Sequence, residues 1–343
     1  MKKVLVTGGA GFIGSHFIHH LLEHSPGILC VNLDKLTYAS DLSYLNSCEN
    51  LPNYHFVEGD ICDKALIHDL FNSHHFDSVF HFAAESHVDN SIDGPEIFID
   101  TNIKGTYNLI HEAKSLWMKQ PHELHPDFKN ARFHHVSTDE VYGSLGDSGF
   151  FIESTPYAPN SPYSASKASS DFIIRSYHHT FGMNVTISNC SNNFGPHQHD
   201  EKLIPTIIRN ALNHNPIPIY GDGKNVRDWL YVSDHCDAIL SIFLKGKSGE
   251  TYNVGTRNEK NNLELCYLIC DHLDSLHPRK NGSYRDLISF VKDRPGHDQR
   301  YAIDPSKLES ELQWTAQSSF DTHLRETIQY YIHRYTCKTT KNS

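Results

Sequence analysis

Tyr163 and Lys167 have the types and spacing of a proton-abstracting pair. They stand four positions apart in a segment with helical periodicity, so both side chains lie on one face of the helix. A free phenol has a pKa of about 10 and is a poor base at neutral pH, but a nearby ammonium group favours the phenolate. The pair is therefore suited to removing a proton from a hydroxyl group.

A second group of reactive residues, Thr138, Asp139 and Glu140, follows a predicted strand upstream of this pair. Ser137 and Thr138 supply a hydroxyl that would bind the same reacting oxygen. Two adjacent carboxyl groups beside such a base provide one acid and one base, which an elimination of water requires. The alternative is a solvated Asp-Glu turn. We disfavour it because the pair follows the strand that carries the hydroxyl.

A glycine-rich turn follows the first predicted strand and opens the first predicted helix. Gly8, Gly11 and Gly14 have the spacing G-x-x-G-x-x-G, a variant of the dinucleotide fingerprint. Small residues there let backbone N–H groups and the positive helix end approach a pyrophosphate. Asp34 ends the second strand, and a carboxylate there binds the adenosine ribose and repels a 2′-phosphate. The pattern predicts a bound dinucleotide, with NAD favoured over NADP.

Further cofactor contacts are expected where the next strands end. Asp60 follows the third strand near the adenine, and small residues after the fourth strand admit the cofactor. The predicted cofactor-binding residues are Gly8, Gly11, Phe12, Ile13, Gly14, Asp34, Lys35, Thr37, Asp60, Ile61, Phe82, Ala83, Ala84, Ser86, Thr101, Tyr163, Lys167 and Asn193.

The elements that position these residues alternate between short β-type runs and longer helical patterns. The predicted strands are Val4–Thr7, Ile28–Leu33, His55–Glu58, Ser78–Phe82, Arg132–Ser137 and Val185–Cys190. The predicted helices include Ser15–Glu23, Asp63–Ser73, Ile103–Trp117 and Ser164–Phe181. This alternation predicts an α/β fold with a Rossmann-type doubly wound parallel sheet. The segment Trp229–Leu244 is expected to return to the sheet lobe, and the pattern from Asn258 onward is mostly helical.

The length of the chain predicts two lobes. Its 343 residues exceed the size at which one hydrophobic core usually stops growing. We expect an NAD-binding Rossmann domain of residues 1–190 plus about 224–256. A smaller, mostly C-terminal α/β substrate-binding domain takes about 191–223 plus 257–335, and residues 336–343 form a polar tail.

Composition excludes several classes of function. With 30 Lys and Arg against 41 Asp and Glu, the net charge is −11, so no nucleic-acid partner is predicted. No apolar run is long enough to predict a membrane span. The eight cysteines contain no C-x-x-C pair, so we predict reduced thiols in a cytoplasmic location and no metal site. The 26 histidines are unexplained, although their protonation would shrink the net charge in mild acid.

Together these motifs resemble the extended short-chain dehydrogenase/reductase family, from Val4 to about His333. The Asp139-Glu140 pair resembles the nucleotide-sugar 4,6-dehydratases of that family, whose epimerases usually carry small or apolar residues at these two positions. The resemblance implies a tightly bound, catalytic NAD and a nucleotide-diphosphate glucose as substrate. Thymine is the expected base, and uracil stays open. A sugar epimerase and a non-catalytic NAD-binding regulator are the alternatives.

The same resemblance implies a set of substrate contacts and a homodimer packed through helices near Ile103–Trp117 and Ser164–Phe181. The predicted substrate-binding residues are Ser86, His87, Thr138, Asn192, Lys202, Leu203, Pro218, Tyr220, Arg227, Asn262, Arg294 and His297. Arg227, Asn262 and His297 are expected at the diphosphate. Phe194 and His197 replace tyrosines that are usual in the family, which removes two phenol hydroxyls.

The resemblance also implies a role for each catalytic residue. Tyr163 takes the proton of the sugar C4 hydroxyl, Thr138 orients that oxygen, and Lys167 holds the nicotinamide ribose. Glu140 then removes the C5 proton, while Asp139 protonates the departing C6 hydroxyl.

Overall fold

The computed structural model describes residues 1–339. We use "first lobe" for the elements around the seven-stranded sheet and "second lobe" for those that pack around a separate hydrophobic core. The strands are β1 (Lys3–Thr7), β2 (Leu29–Asp34), β3 (Tyr54–Glu58), β4 (Ser78–His81), β5 (Met118–Gln120), β6 (Glu123–Leu124), β7 (Arg132–Thr138), β8 (Val185–Cys190), β9 (Asn192–Phe194), β10 (Ile217–Tyr220), β11 (Val226–Tyr231), β12 (Thr251–Val254), β13 (Glu259–Asn261) and β14 (Ile288–Val291). The helices are α1 (Phe12–His24), α2 (Lys64–His74), α3 (Val88–Asp93), α4 (Glu96–Phe98), α5 (Thr106–Trp117), α6 (Pro162–Phe181), α7 (Leu203–Leu212), α8 (Val232–Lys245), α9 (Asn262–Leu276), α10 (Ser306–Leu312) and α11 (Phe320–Thr339). A π-helical turn over Ile99–Gly105 joins α4 to α5.

The first lobe is built on a seven-stranded parallel sheet with the order β12-β8-β7-β4-β1-β2-β3. This arrangement confirms the predicted doubly wound α/β class. The strands β4 and β8 are buried along their whole length, as expected for a sheet covered by helices on both faces. All six predicted strands belong to this sheet. The seventh, β12, was not predicted because its four residues carry too little periodicity to separate a strand from a loop.

Two hydrophobic cores cover the two faces of the sheet. One packs α2, α5 and α6 against the strands and includes Trp117, Phe133 and Ile174. The other packs α1 against α8. The predicted return of Trp229–Leu244 to this lobe therefore holds for α8. It does not hold for the strand before it, since β11 pairs with β9 and β13 in a separate sheet.

The second lobe packs α7, α9 and α11 around one core. The helical pattern expected from Asn258 is interrupted by β13 and by β14, which pairs in parallel with β10. Helix α10 falls in the range assigned to this lobe, but it packs against α8 and β12. Of the predicted polar tail, residues 336–339 continue α11, and residues 340–343 lie outside the described residues.

Helix α6 begins with strong local signals that place its first turn. Ser161 accepts a hydrogen bond from the Ser164 backbone N–H, and the Ser164 hydroxyl accepts one from the Ser161 backbone N–H. Pro162 stands at the first helical position, where its missing N–H costs nothing. This capping box fixes Tyr163 and Lys167 within the first two turns of the helix.

Candidate active site

One continuous cleft runs along the carboxyl ends of the parallel strands. Every residue of the predicted cofactor set lines it, and so do Thr138, Asp139, Glu140, Tyr163 and Lys167. The carboxyl ends of neighbouring parallel strands meet at one edge of the sheet, where ligands bind in open α/β folds. The structure therefore brings the two predicted clusters, dinucleotide and catalytic, into a single site.

At one end of the cleft, the glycine-rich turn leaves bare backbone. A Cβ at Gly8 would lie 2.6 Å from the Ala83 nitrogen, and a Cβ at Gly14 would lie 2.2 Å from the Gly8 oxygen. Gly8 also has φ +74°, which disfavours any other residue. Gly11 caps α1 without a side-chain hydrogen bond. The backbone and the positive helix end therefore form a cradle that fits a pyrophosphate.

The carboxylate of Asp34 is held rigidly beside this cradle. One oxygen accepts the Ala10 N–H at 2.9 Å, and the other accepts the Leu36 N–H and the Ser40 hydroxyl, each at 2.9 Å. Lys35 is paired with Asp60 at 2.6 Å. A fixed carboxylate repels a 2′-phosphate, and the nearest lysine is already paired with an acid. This end of the cleft therefore fits NAD better than NADP.

Tyr163 and Lys167 project from α6 toward the end of β7. The Tyr163 phenol is buried near the Thr138 hydroxyl, and burial, followed by the nearby Glu140, raises the pKa of Tyr163 well above its usual range. Lys167 is also buried, and its Nζ donates to the Val136 carbonyl at 2.8 Å. Burial lowers the pKa of Lys167 to about 8.

Asp139 and Glu140 differ in their surroundings although they are neighbours. Asp139 is 2% exposed, and its Oδ2 finds no hydrogen-bond partner among residues 1–339. Burial, with the charge of Glu140 as the second cause, raises the pKa of Asp139 well above its usual range. Burial also raises the pKa of Glu140, but Arg294, Arg227 and Lys202 oppose this shift. Asp139 therefore holds its proton more firmly than Glu140, which has more cationic neighbours, and general acid–base catalysis requires two carboxyl groups that differ in this way.

The cations around Glu140 form a basic region on the second-lobe side. Arg227 is buried, donates to the Asp298 carbonyl at 2.9 Å and stacks on Tyr301 at 4.2 Å. Lys202 donates its Nζ to the Ser86 carbonyl at 2.9 Å. Arg294 pairs with Asp89 at 3.2 Å. A guanidinium fork matches phosphate oxygens, so this region is suited to a diphosphate.

Only some of the predicted substrate-binding residues line the cleft. Ser86, Thr138, Asn192 and Lys202 line it. Tyr220 and Arg294 meet at Asp89, with the Tyr220 hydroxyl 3.4 Å from that carboxylate, and His297 lies against Asp293 at 2.6 Å. His87 lies 3.7 Å from Glu201. Leu203, Pro218 and Asn262 stand outside the lining of the cleft, as do His87, Tyr220, Arg227, Arg294 and His297, and all the substrate assignments stay predictions.

The sequence did not indicate some residues of the cleft, among them Ala39, Gln198, His199 and Glu201. Three of them belong to the segment between β9 and α7, which the C-terminal helix holds in place. The Tyr331 hydroxyl donates to the Gln198 carbonyl at 2.5 Å, and the Tyr335 hydroxyl donates to Asp200 at 2.6 Å. These contacts span more than 130 positions of the chain, so no local pattern could reveal them.

The two aromatic replacements, Phe194 and His197, contribute packing. The Phe194 ring is buried against Tyr231 and Phe320. His197 is stacked on Tyr44, with ring centroids 4.0 Å apart.

Residues 1–339 contain neither a metal-binding cluster nor a membrane-spanning helix. No group of three or more His, Cys, Asp or Glu side chains is arranged to hold a metal ion. No helix in the same residues has the length and apolar character needed to cross a membrane.

Comparison with known proteins places the chain among sugar-nucleotide enzymes. The GDP-mannose 4,6 dehydratase family profile matches residues 5–327. A dTDP-glucose 4,6-dehydratase of Xanthomonas campestris pv. campestris (strain B100) is 53% identical over 333 residues, which cover 97% of this chain and 93% of the relative.

Two solved structures of similar proteins have the same fold. A dTDP-glucose 4,6-dehydratase from Streptomyces venezuelae, solved with NAD bound, has a TM-score of 0.87 and 43% identity, with 97% of this chain and 98% of that chain covered. A dTDP-glucose 4,6-dehydratase from Bacillus anthracis str. Ames, also in complex with NAD, has a TM-score of 0.85 and 42% identity, with 98% of each chain covered.

The burial of Asp139 predicts a stability that depends on pH. An acid whose pKa is higher in the folded than in the unfolded state binds its proton more tightly when folded, so its stabilising effect is lost as the pH rises. We expect Asp139→Asn to be more stable than the wild type near pH 7, by an amount within the range of about 0.5 to 3 kcal/mol that single substitutions usually reach, because the amide has no charge to bury. Urea unfolding across a pH series measures this difference.

The matched control is Asp69→Asn, which neutralises an exposed carboxylate on α2. We expect the gain from Asp139→Asn to vanish near pH 4, below the folded-state pKa, and the control to show no such trend. An equal stability gain at every pH would contradict the assignment.

Proposed function

Because the chain belongs to the dTDP-glucose 4,6-dehydratase family, we propose that it converts dTDP-glucose to dTDP-4-keto-6-deoxyglucose with loss of water, using NAD. The observation that carries this proposal is the position of Asp139 and Glu140. Asp139 has a pKa well above its usual range, and Glu140 has cations near it. Both stand in the same cleft as Tyr163 and Thr138, the base and the hydroxyl that act at C4. An epimerase that only oxidises and reduces C4 has no use for this acid–base pair.

The cofactor is NAD, held by the Gly8–Gly14 cradle and the fixed Asp34 carboxylate. When bound there, NAD would supply the hydride acceptor for the sugar C4 and the hydride donor for C6, so the reaction would consume none of it. Lys167, on the helix face shared with Tyr163, holds the nicotinamide ribose.

The first step is removal of the C4 hydroxyl proton. Tyr163 is the base, since its phenol stands beside the Thr138 hydroxyl that orients the C4 oxygen. The positive charge of Lys167 favours the phenolate over the buried phenol. The sugar then carries a 4-keto group, which acidifies the proton on C5.

The second step is elimination of water across C5 and C6. Glu140 removes the C5 proton, while Asp139 donates a proton to the departing C6 hydroxyl. Burial keeps Asp139 protonated until this moment, and Arg227, Arg294 and Lys202 keep Glu140 able to act as a base. When hydride returns to C6, Glu140 gives its proton back to C5.

Thymine specificity rests on the relatives, which are dTDP-glucose enzymes. The test is incubation of the purified protein with dTDP-glucose, and in parallel with UDP-glucose, without an external electron acceptor. We expect only dTDP-glucose to lose the mass of one water and to give a 4-keto-6-deoxy sugar by NMR. Exclusive turnover of UDP-glucose, or a 4-epimer as product, would refute the proposal.

Glu140→Gln should separate the two steps. We expect C4 oxidation to persist and the elimination to stall, because the amide cannot accept the C5 proton. Turnover should fall about 10²- to 10⁴-fold, while reduced nicotinamide accumulates on the enzyme, as followed by its absorbance.

The control is Glu153→Gln, which makes the same change in a half-buried carboxyl group outside the cleft. That variant should turn over at the wild-type rate. Unimpaired turnover of Glu140→Gln would remove Glu140 from its assigned role.

We also propose that the protein is a homodimer packed through the helices around α5 and α6. Large apolar side chains on these helices are exposed in the single chain, among them Ile99 (48%), Tyr107 (39%) and Phe172 (54%). Apolar surface of this kind is typical of a face that a second copy covers.

The reduced thiols of Cys266 and Cys270, one helical turn apart, support a reducing, cytoplasmic location.

Phe172→Asp tests the dimer. A carboxylate at the centre of an apolar interface would be desolvated without a partner, so we expect a monomer in size-exclusion chromatography with light scattering. Leu244→Asp, on α8 and 57% exposed, is the matched control and should leave the mass unchanged. A wild type that elutes as a monomer would refute the dimer.

A further inference from the structure

Two loop segments line the cleft and also touch each other. Residues 37–45 follow β2, and residues 196–202 lie between β9 and α7. Each segment contributes side chains to the lining of the cleft, among them Ser40 from the first and Gln198 and Lys202 from the second. A dinucleotide held in the cleft would therefore lie against both segments.

The 37–45 segment is fixed to the part of the cleft that fits the pyrophosphate and the adenosine. The Asp41 N–H donates to the Ala10 carbonyl of the glycine-rich turn at 2.9 Å, and the Ser40 hydroxyl donates to Asp34 at 2.9 Å. A 3₁₀ turn over Leu42–Leu45 follows and carries Tyr44. Tyr44 therefore belongs to a segment that is anchored in the first lobe.

The 196–202 segment contains a histidine whose backbone conformation needs support. His197 has φ +71°, in the left-handed region that residues other than glycine seldom adopt. Its ring is stacked on Tyr44, with centroids 4.0 Å apart and 3° between the planes, and it meets Tyr330 of α11 edge to face at 5.4 Å. The ring of His16 on α1 lies 4.9 Å away, and its Nε2 donates to the Pro196 carbonyl at 3.0 Å. Rings from three other parts of the chain therefore surround His197.

Other side chains connect the two segments on either side of this stack. Arg334 of α11 donates to the Tyr44 hydroxyl at 3.1 Å and lies 3.7 Å from Asp200. The Tyr38 ring meets the His199 ring edge to face, with centroids 5.3 Å apart. Among residues 1–339, no backbone hydrogen bond joins the two segments. Contacts made by side chains alone can separate while the backbone hydrogen bonds of both lobes stay intact.

The stacked pair acts through its rings and not through contact with a ligand. Neither Tyr44 nor His197 belongs to the lining of the cleft. Burial, and then the nearby His16, lower the pKa of His197 to about 4, so its ring is uncharged near pH 7. His197 Nδ1 finds no hydrogen-bond partner among residues 1–339. The ring contacts, which a phenyl group could also make, therefore join His197 to Tyr44.

We propose that Tyr44 and His197 form a clasp that gates cofactor exchange: NAD enters and leaves the cleft when the 196–202 segment moves away from the 37–45 segment. This inference rests on the part of the proposed function in which the cleft holds NAD. Because the clasp does not contact the cofactor, it slows entry and exit alike and leaves the affinity nearly unchanged. Such a barrier suits a cofactor that the reaction does not consume.

The test is the rate at which NAD leaves the holoenzyme. Protein loaded with radiolabelled NAD is mixed with excess unlabelled NAD, and the label that stays on the protein is followed over time. We expect His197→Ala to release NAD about 3- to 10-fold faster than the wild type, which is the effect of losing one aromatic pair. The association rate should rise by the same factor, so the dissociation constant measured by equilibrium dialysis should stay near the wild-type value.

Further variants show whether the ring contact is responsible. His197→Phe keeps the stack and should exchange NAD at the wild-type rate. Tyr44→Leu removes the stack from the other side, should speed exchange as His197→Ala does, and serves if His197→Ala fails to fold. The double variant should be barely faster than either single variant, because both substitutions remove the same contact.

The matched control is His214→Ala. His214 also has a left-handed backbone, with φ +56°, but it is exposed and lies outside the lining of the cleft. The control makes the same change in the same backbone conformation, so NAD exchange should stay at the wild-type rate.

Wild-type release rates in both His197→Ala and Tyr44→Leu would overturn the clasp. A weaker dissociation constant at an unchanged association rate would also overturn it, since that result belongs to a distorted binding site. A double variant whose rate is the full product of the two single effects would overturn the pairing of the rings. These measurements do not involve dTDP-glucose, so the clasp can fail while the dehydratase activity is confirmed, and the reverse. A wild type that binds no NAD would overturn both.

Discussion

Burying two adjacent carboxyl groups beside a phenol is the constraint on which the rest of this site depends. Asp139, Glu140 and Tyr163 cannot all ionise in a place with little water, because each negative charge disfavours the next. The positions of the nearby cations decide which carboxyl group holds its proton more firmly. Arg227 opposes the rise in the pKa of Asp139, whereas Arg294, Arg227 and Lys202 all oppose the rise in the pKa of Glu140, so Asp139 holds its proton more firmly than Glu140 does.

Residues of the second lobe hold the cations near Glu140 in place. Arg227 keeps its charge in a buried position because Tyr301 stacks on its guanidinium and the Asp298 carbonyl accepts its N–H. Asp298 is itself held by Asn160 at 2.6 Å and by Tyr301 at 2.5 Å. Asn160 immediately precedes the cap of α6, so the same segment that starts the catalytic helix also fixes the basic region.

Local signals predicted the parts of the site that a single strand-turn-helix unit determines. Gly8, Gly14 and Asp34 could be assigned because a tight turn and a strand end leave characteristic residues at fixed distances. The loop that carries Gln198 and Glu201 could not, since its position depends on tyrosines of α11 far along the chain. In the same way, the short strands β12 and β14 form by pairing with distant partners, and their own sequences carry little periodicity.

The role of the many histidines could not be predicted from the sequence either. A count of 26 suggested that mild acid would remove most of the negative charge, yet His81, His134 and His135 are completely buried and have pKa values well below the usual range. His81 and His134 act as hydrogen-bonding groups inside the sheet: His81 Nε2 lies 2.8 Å from the Thr106 hydroxyl, and His134 Nδ1 lies 2.9 Å from the Thr186 hydroxyl. A base with a depressed folded-state pKa costs stability as the pH falls below its unfolded value of about 6.5. These histidines therefore resist protonation in the folded chain and favour unfolding in acid.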